Sequence, residues 1–261
     1  MILEPIYITG AGVVSAIGIG KAETLASLQD NRSGIRFIRY LKSTHTDLPV
    51  GEVQLSNDEM AERLGLGDSQ SYTRTSLIGK LALKEALHDA HLDGQSLDEV
   101  HFISGTTVGG MERREQVHAQ ESNCGQEIAE IATYNCASCT EMIAEGLGDF
   151  ASMATLSTAC SSATNAIITG ANMLRCGLAD IVVVGGAECL SLFHLNGFNA
   201  LMILDHEPCR PFDRDRAGLN LGEGAAYLVM ETAASVQQRG LKPKFALNGY
   251  ANKCDAFHQT A

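Results

Sequence analysis

The chain has 261 residues, 45% of them hydrophobic, enough to fill the core of one large α/β domain or two modest ones. Its formal charge of -12, from 19 basic and 31 acidic residues, argues against a general nucleic-acid binder. The opening "MILEPIYITG" does not resemble a secretory signal and no apolar run reaches the roughly 18 residues of a membrane span, so a cytoplasmic protein with no membrane contact is expected.

In chain order, "IYITGAGVV" reads as an apolar strand broken by Gly10 and Gly12, followed by a helix over "KAETLASLQD" that stops at "NRSG". From Tyr72 to Leu92 the spacing of Leu77, Ile78, Leu81 and Leu87 predicts a helix, and "VHFISGTTVGG" a strand running into a glycine turn. The segment 111–150 is polar and mixed, with a helix expected in "QEIAEIA". "MATLST" reads as a strand, Ser161 to Arg175 as a helix stopped by Gly177, and "IVVVGGAE" as a buried parallel strand. "EGAAYLVME", "TAASVQQRG" and "KFALNGYAN" then give strand, helix, strand. Strands alternating with helices imply an α/β fold with a largely parallel sheet.

Three stretches carry chemical possibilities. "GAGVVS", Gly10 to Ser15, invites a pyrophosphate-binding reading, but its spacing is only GxGxxS and Asp30, 20 positions after Gly10, falls at a helix end; a tight structural turn is expected instead. "CASC", Cys136 to Cys139, has no second CxxC pair and reads as two packed or exposed thiols, not a zinc site. The eight cysteines (124, 136, 139, 160, 176, 189, 209 and 254) fit reduced, mostly core-filling thiols.

In "LSTACSSATNAIITGANML", Cys160 stands at a strand-to-helix corner among Thr158, Ala159, Ser161 and Ser162. A nucleophile on such a corner stands clear of its backbone, and small neighbours admit a substrate. A helix N-terminus favours a thiolate, and its N–H groups, that of Cys160 included, can donate to a tetrahedral oxyanion. The pattern alone fits equally a small residue selected for tight packing.

"YITGAGVVSAIG", "STACSSATNAI", "VVVGGAE", "RPFDRDRAGLNLGEGAAYLVME" and the closing "GYANKCDAFHQTA" together resemble the β-ketoacyl-acyl carrier protein synthases, the condensing enzymes of fatty acid and polyketide synthesis. The resemblance implies a thiolase-like fold, layered αβαβα from two similar halves, of which residues 1–248 form the N-terminal half and 249–261 the start of the C-terminal one. It implies that Cys160 takes the acyl group from a carrier-protein thioester, that Val108 and Phe198 line the acyl pocket, and that no metal or organic cofactor is needed. Acyl- and malonyl-loaded acyl carrier protein are the implied partners, with a homodimer or heterodimer built partly on the strand leading to the cysteine.

The resemblance is incomplete. The family's two catalytic histidines lie in "DAHGTGT"-like and "GHTLGAAG"-like motifs, and none of the eight histidines here (45, 88, 91, 101, 118, 194, 206 and 258) has such a context. An N-terminal fragment that does not complete condensation alone, and that self-associates through an uncovered apolar layer, is therefore expected. Leu219 stands where the family commonly has Phe. Arg210, Asp213, Arg214 and Asp215 are expected to tie down a loop, and Arg113, Arg114 and Lys42 are scattered candidates for docking an acidic carrier. The rival readings are a non-catalytic chain-length-setting subunit, in which the cysteine is usually replaced, another thiolase-fold acyltransferase, and a nucleotide-binding oxidoreductase.

Overall fold

The computed structural model describes residues 4–120, 135–243 and 245–253. The described strands are β1 (Ile6–Ser15), β2 (Gly18–Ile19), β3 (Arg36–Phe37), β4 (Pro49–Val50), β5 (Val100–Gly105), β6 (Ser152–Leu156), β7 (Ile181–Glu188), β8 (Gly224–Thr232) and β9 (Phe245–Leu247). The described α-helices are α1 (Lys21–Gln29), α2 (Asn57–Leu64), α3 (Arg74–Asp89), α4 (Met111–Gln120), α5 (Cys136–Ala144), α6 (Ser162–Arg175), α7 (Leu192–Ala200) and α8 (Ala233–Gln238). One sheet runs β2-β1-β8-β7-β5-β6, with β9 also beside β1.

The alternation of β7 shows how the sheet acquires two covered faces. Val183 and Ala187 join the core under α3 and α5, while Val182 and Val184 join Ala166, Ala171 and Leu174 of α6 on the other face. A run of valines buried on both sides follows. Gly170 lets α6 approach, since a Cβ there would stand 2.4 Å from Val184 Cγ1. At the far end of α6, Gly177 adopts φ +67° just after the capping residue Cys176, as a helix stop requires. The predicted helix in "QEIAEIA" lies outside the described residues.

Two expectations need correction. The sheet is mixed: β5 is parallel to β6 and β7, but β8 is antiparallel to both β7 and β1, and β2 and β9 are antiparallel to β1. A parallel neighbour needs a crossover over the sheet face. The connection from β7 to β8 instead stays at one end of the sheet, so β8 enters reversed. In consequence β1, β5, β6 and β7 all point the same way, and their C-terminal ends share one edge.

The second correction concerns Gly10 and Gly12, which do not break the first strand. β1 runs unbroken through both, with only a bulge between Ile8 and Gly10. A Cβ on Gly10 would lie 2.5 Å from Ala86 O and one on Gly12 2.0 Å from Ala82 O, so the glycines are there because α3 lies directly on the strand. Carboxylates of α3 then accept strand N–H groups: Asp89 Oδ2 from Ala11 (2.9 Å) and Glu85 Oε2 from Val13 (2.9 Å). The segment expected to form a tight turn is instead strand backbone, paired along β8 and donating to the carboxylates of α3.

A buried pair ties the start of α3 to the residue that precedes β8. Arg74 Nε donates to both oxygens of Glu223 at 3.0 Å, and Arg74 Nη2 also donates to Val53 O. Glu223 accepts from Val53 N and Leu190 N as well, so each charge is matched by several partners.

Candidate functional site

The corner predicted at Cys160 is present. β6 ends at Leu156 and α6 begins at Ser162, with Ala159 at φ +52°, a left-handed conformation that L-residues seldom adopt. Cys160 follows it, exposed, as do most residues of the corner. Within the corner Ser161 Oγ donates back to Thr158 O (2.7 Å), and Ser162 N donates to Ala159 O (3.1 Å).

Cys160 opens onto a cleft of about 410 Å³ at the shared edge of the co-directional strands. Its walls are Val13–Ser15 of β1, Gly105–Thr107 after β5, Gly186–Glu188 of β7, the first residues of β8, and Ala159–Ala163 around the thiol, Ser161 excepted. The carboxyl ends of strands are the usual location of ligands in α/β proteins. Glycines make the arrangement possible: a Cβ on Gly105 would meet Ser162 O at 2.6 Å, and one on Gly186 would meet Gly105 O at 2.5 Å. The first turn of α6 is thus pressed against the tips of β5 and β7.

The polar wall was not anticipated from the sequence. Glu188, the last residue of β7, accepts from Thr106 Oγ1 (3.2 Å) and from the Thr107 N–H through one carboxylate oxygen, Oε2. Its Oε1 is buried without a hydrogen-bond partner, and burial pushes this carboxyl above the ordinary carboxylate range. Thr106 Oγ1 accepts from Gly109 N (3.1 Å), Ser157 Oγ donates to Thr107 O (2.9 Å), and Ser162 Oγ accepts from Thr158 N (2.9 Å). The signal available in the sequence was a Glu one residue beyond a glycine pair at the end of an apolar strand.

Other predicted residues fall elsewhere. Val108 and Phe198 are half-buried, on the β5–α4 turn and on α7, and neither lines the cleft. Leu219, at the edge of a small cluster with Leu48, Val50, Leu195 and Leu204, does not line it either. The Arg210–Arg216 loop is fastened to itself: Arg210 Nη2 donates to Asp215 O (2.8 Å) and Asp215 N to Asp213 Oδ1 (2.7 Å). The Arg214–Asp215 pair is almost fully exposed. Lys42 and Arg114 are exposed and Arg113 is half-buried, its Nη1 donating to Gln70 Oε1 (3.3 Å).

Of the "CASC" pair, Cys139 is buried and Cys136 half-buried on the first turn of α5, and burial raises both thiols. Cys189 is also buried, whereas Cys176 is exposed, so the core-filling expectation holds for only some of the cysteines. No described histidine lines the cleft. No helix among the described residues is long and apolar enough to cross a membrane.

A family model, Beta-ketoacyl synthase, N-terminal domain, matches residues 3–235. The chain belongs to this family. It is similar to the tetracenomycin polyketide synthase ketoacyl synthase alpha subunit of Streptomyces glaucescens, 27% identical over 98% of this chain and 64% of that protein. It is equally similar to 3-oxoacyl-[acyl-carrier-protein] synthase 2 of Staphylococcus aureus strain N315, at 28% identity and the same coverage. Among solved structures it resembles the ishigamide ketosynthase/chain length factor, with a TM-score of 0.85 and 28% identity over 99% of this chain and 66% of that one. A ketosynthase in complex with its chain length factor from Xenorhabdus doucetiae gives a TM-score of 0.69 at 26% identity, covering 88% of this chain and 58% of that one. The fold is therefore thiolase-like, and the chain spans about 64% of the length of the curated relatives it matches.

Proposed function

We propose that this chain carries the acyl-accepting half of a β-ketoacyl-acyl carrier protein synthase, with Cys160 as the nucleophile. The observation that carries the reading is the exposed thiol on a left-handed strand-to-helix corner, opening onto the cleft where four strand ends converge. In the first step the Cys160 sulfur attacks the carbonyl carbon of an acyl-carrier thioester. The C–S bond to the carrier breaks, and the carrier leaves as a thiol with the proton that Cys160 gave up. The N–H of Cys160 is the proposed donor to the oxygen that becomes negative in the tetrahedral intermediate.

In the complete reaction, loss of CO2 from a malonyl-carrier supplies a carbanion that attacks the Cys160 thioester, giving 3-oxoacyl-carrier and freeing the thiol. The decarboxylation motifs that the family resemblance supplies are not in these 261 residues, so the chain alone is proposed to load an acyl group but not to condense it. Val108 and Phe198 are proposed as walls of an acyl pocket completed outside the cleft described above. Residues 1–248 would then form the N-terminal half and 249–261 open the next. The partners proposed are acyl- and malonyl-loaded carrier protein and a second synthase-type subunit, in the cytoplasm, where free thiols persist.

A rival reading as a non-catalytic chain-length subunit is disfavoured by Cys160 itself. Incubating the chain with a medium-chain acyl carrier protein and measuring intact mass should show one acyl increment, absent in Cys160→Ala. An increment that persists in Cys160→Ala would overturn the assignment.

A further inference from the structure

The tip of β7 and the corner that bears Cys160 are adjacent in space but far apart in sequence, and they are joined by one chain of hydrogen bonds. Glu188 Oε2 holds Thr107 N and Thr106 Oγ1. The turn so held is tied to the corner: Thr107 O accepts from Ser157 Oγ at 2.9 Å and Thr106 N donates to Leu156 O at 3.0 Å, while the single Ser162 hydroxyl proton goes to Ala159 O at 2.6 Å with Thr106 O more distant at 3.3 Å. Ser157 and Ser162 flank Cys160, and Ser162 Oγ also accepts the Thr158 N–H from within the corner. Strain at Ala159 has to be held by its surroundings: its carbonyl accepts from Ser162 Oγ (2.6 Å) and Ser162 N (3.1 Å), and the turn held by Glu188 braces that corner from the β5 side.

We propose that Glu188 is a positioning residue for Cys160, acting through the Thr106–Thr107 turn, which Ser157 Oγ and the Leu156 carbonyl tie to the corner. This rests on the reading of Cys160 as the acyl-accepting thiol and adds a residue on which its placement depends. A carboxylate at the end of β7 is costly to bury. Two donors converging on one of its oxygens give it a purpose at that position. Glutamine offers the same carbonyl oxygen to both donors, and its amide replaces the partnerless Oε1. Alanine offers nothing.

The test is the rate of alkylation by iodoacetamide, resolved by peptide mass spectrometry. Cys176 is exposed at the opposite end of α6, outside the network, and serves as the internal reference. In Glu188→Ala the Cys160 rate should change by about tenfold or more, the scale on which a displaced reactive group loses efficiency, while the Cys176 rate stays unchanged. Glu188→Gln should restore the Cys160 rate to near wild type. An equal effect of Gln and Ala would assign the change to lost charge and overturn the proposal. Where Glu188→Ala does not fold, Ser157→Ala is read in its place, since it removes one exposed hydroxyl of the same chain. A Cys160 rate within twofold of wild type in the variants that fold would likewise overturn it. Acyl loading from the carrier thioester is scored separately, so a chain that alkylates as expected but never loads would count against the proposed function and not against the positioning role.

Discussion

Glu112 shows how far a single side chain can be carried from its ordinary behaviour by the fold. It sits on the first turn of α4, buried beside the Cys189 thiol, with Oε1 accepting the Arg74 N–H at 2.6 Å. Burial pushes its carboxyl from 4.5 up to about 7. A carboxyl raised in the folded state is a stabilising contribution at low pH: it is fully present below 4.5 and is lost as pH rises toward 7. Across that window the loss amounts to roughly 3 kcal/mol. Glu112→Gln keeps the acceptor and removes the titration. Urea unfolding at pH 5 and pH 8 should therefore show that the variant loses less stability between the two than wild type does, and exceeds it at pH 8. Equal losses in the two proteins would show that Glu112 does not titrate there.

At the scale of elements, the contact between β1 and α3 leaves no room for a side chain. Gly12→Ala would place a methyl 2.0 Å from the Ala82 carbonyl, which belongs to a helix backbone and cannot rotate away. A loss of about 3 kcal/mol or more is expected in thermal or urea unfolding. Wild-type stability would mean that α3 can shift on the strand.

The sequence made most of these elements legible. "IVVVGGAE" is β7 residue for residue, and the helix expected from Ser161 to Arg175 begins one residue later at Ser162. Periodicity reports burial, and β7 and α6 bury their faces in the expected way. It says nothing of strand direction, so the reversed β8 was missed. It also does not separate a glycine needed for a turn from one needed for close approach, and Gly10 and Gly12 were misread for that reason. At the site, Cys160 was legible because small residues bracket a corner. Glu188 was not, because its role depends on a turn 81 positions away in sequence.

On the scale of the whole molecule, β6 is an open edge of the sheet. It pairs only with β5 among the described strands, and Ser152, Met153 and Ala154 are exposed. A bare edge carrying apolar side chains is an invitation to pair. A partner seated there would reach the strand that leads to Cys160, as the resemblance to condensing enzymes suggested. We propose this edge as the site where two copies pair, and Met153→Lys should then lower the fraction of dimer in sedimentation or light scattering at matched concentration, with the monomer fold kept. An unchanged dimer fraction would move the interface elsewhere.

Among the described residues, the two exposed thiols bracket one helix. α6 has 14 residues, and with a rise of about 1.5 Å each its ends lie roughly 21 Å apart. Cys160 stands before the first turn and Cys176 after the last. The protein thus carries a molecular ruler of known length: a spin label or dye on Cys176 views whatever becomes attached to Cys160 from a fixed vantage, within the range of dipolar spectroscopy.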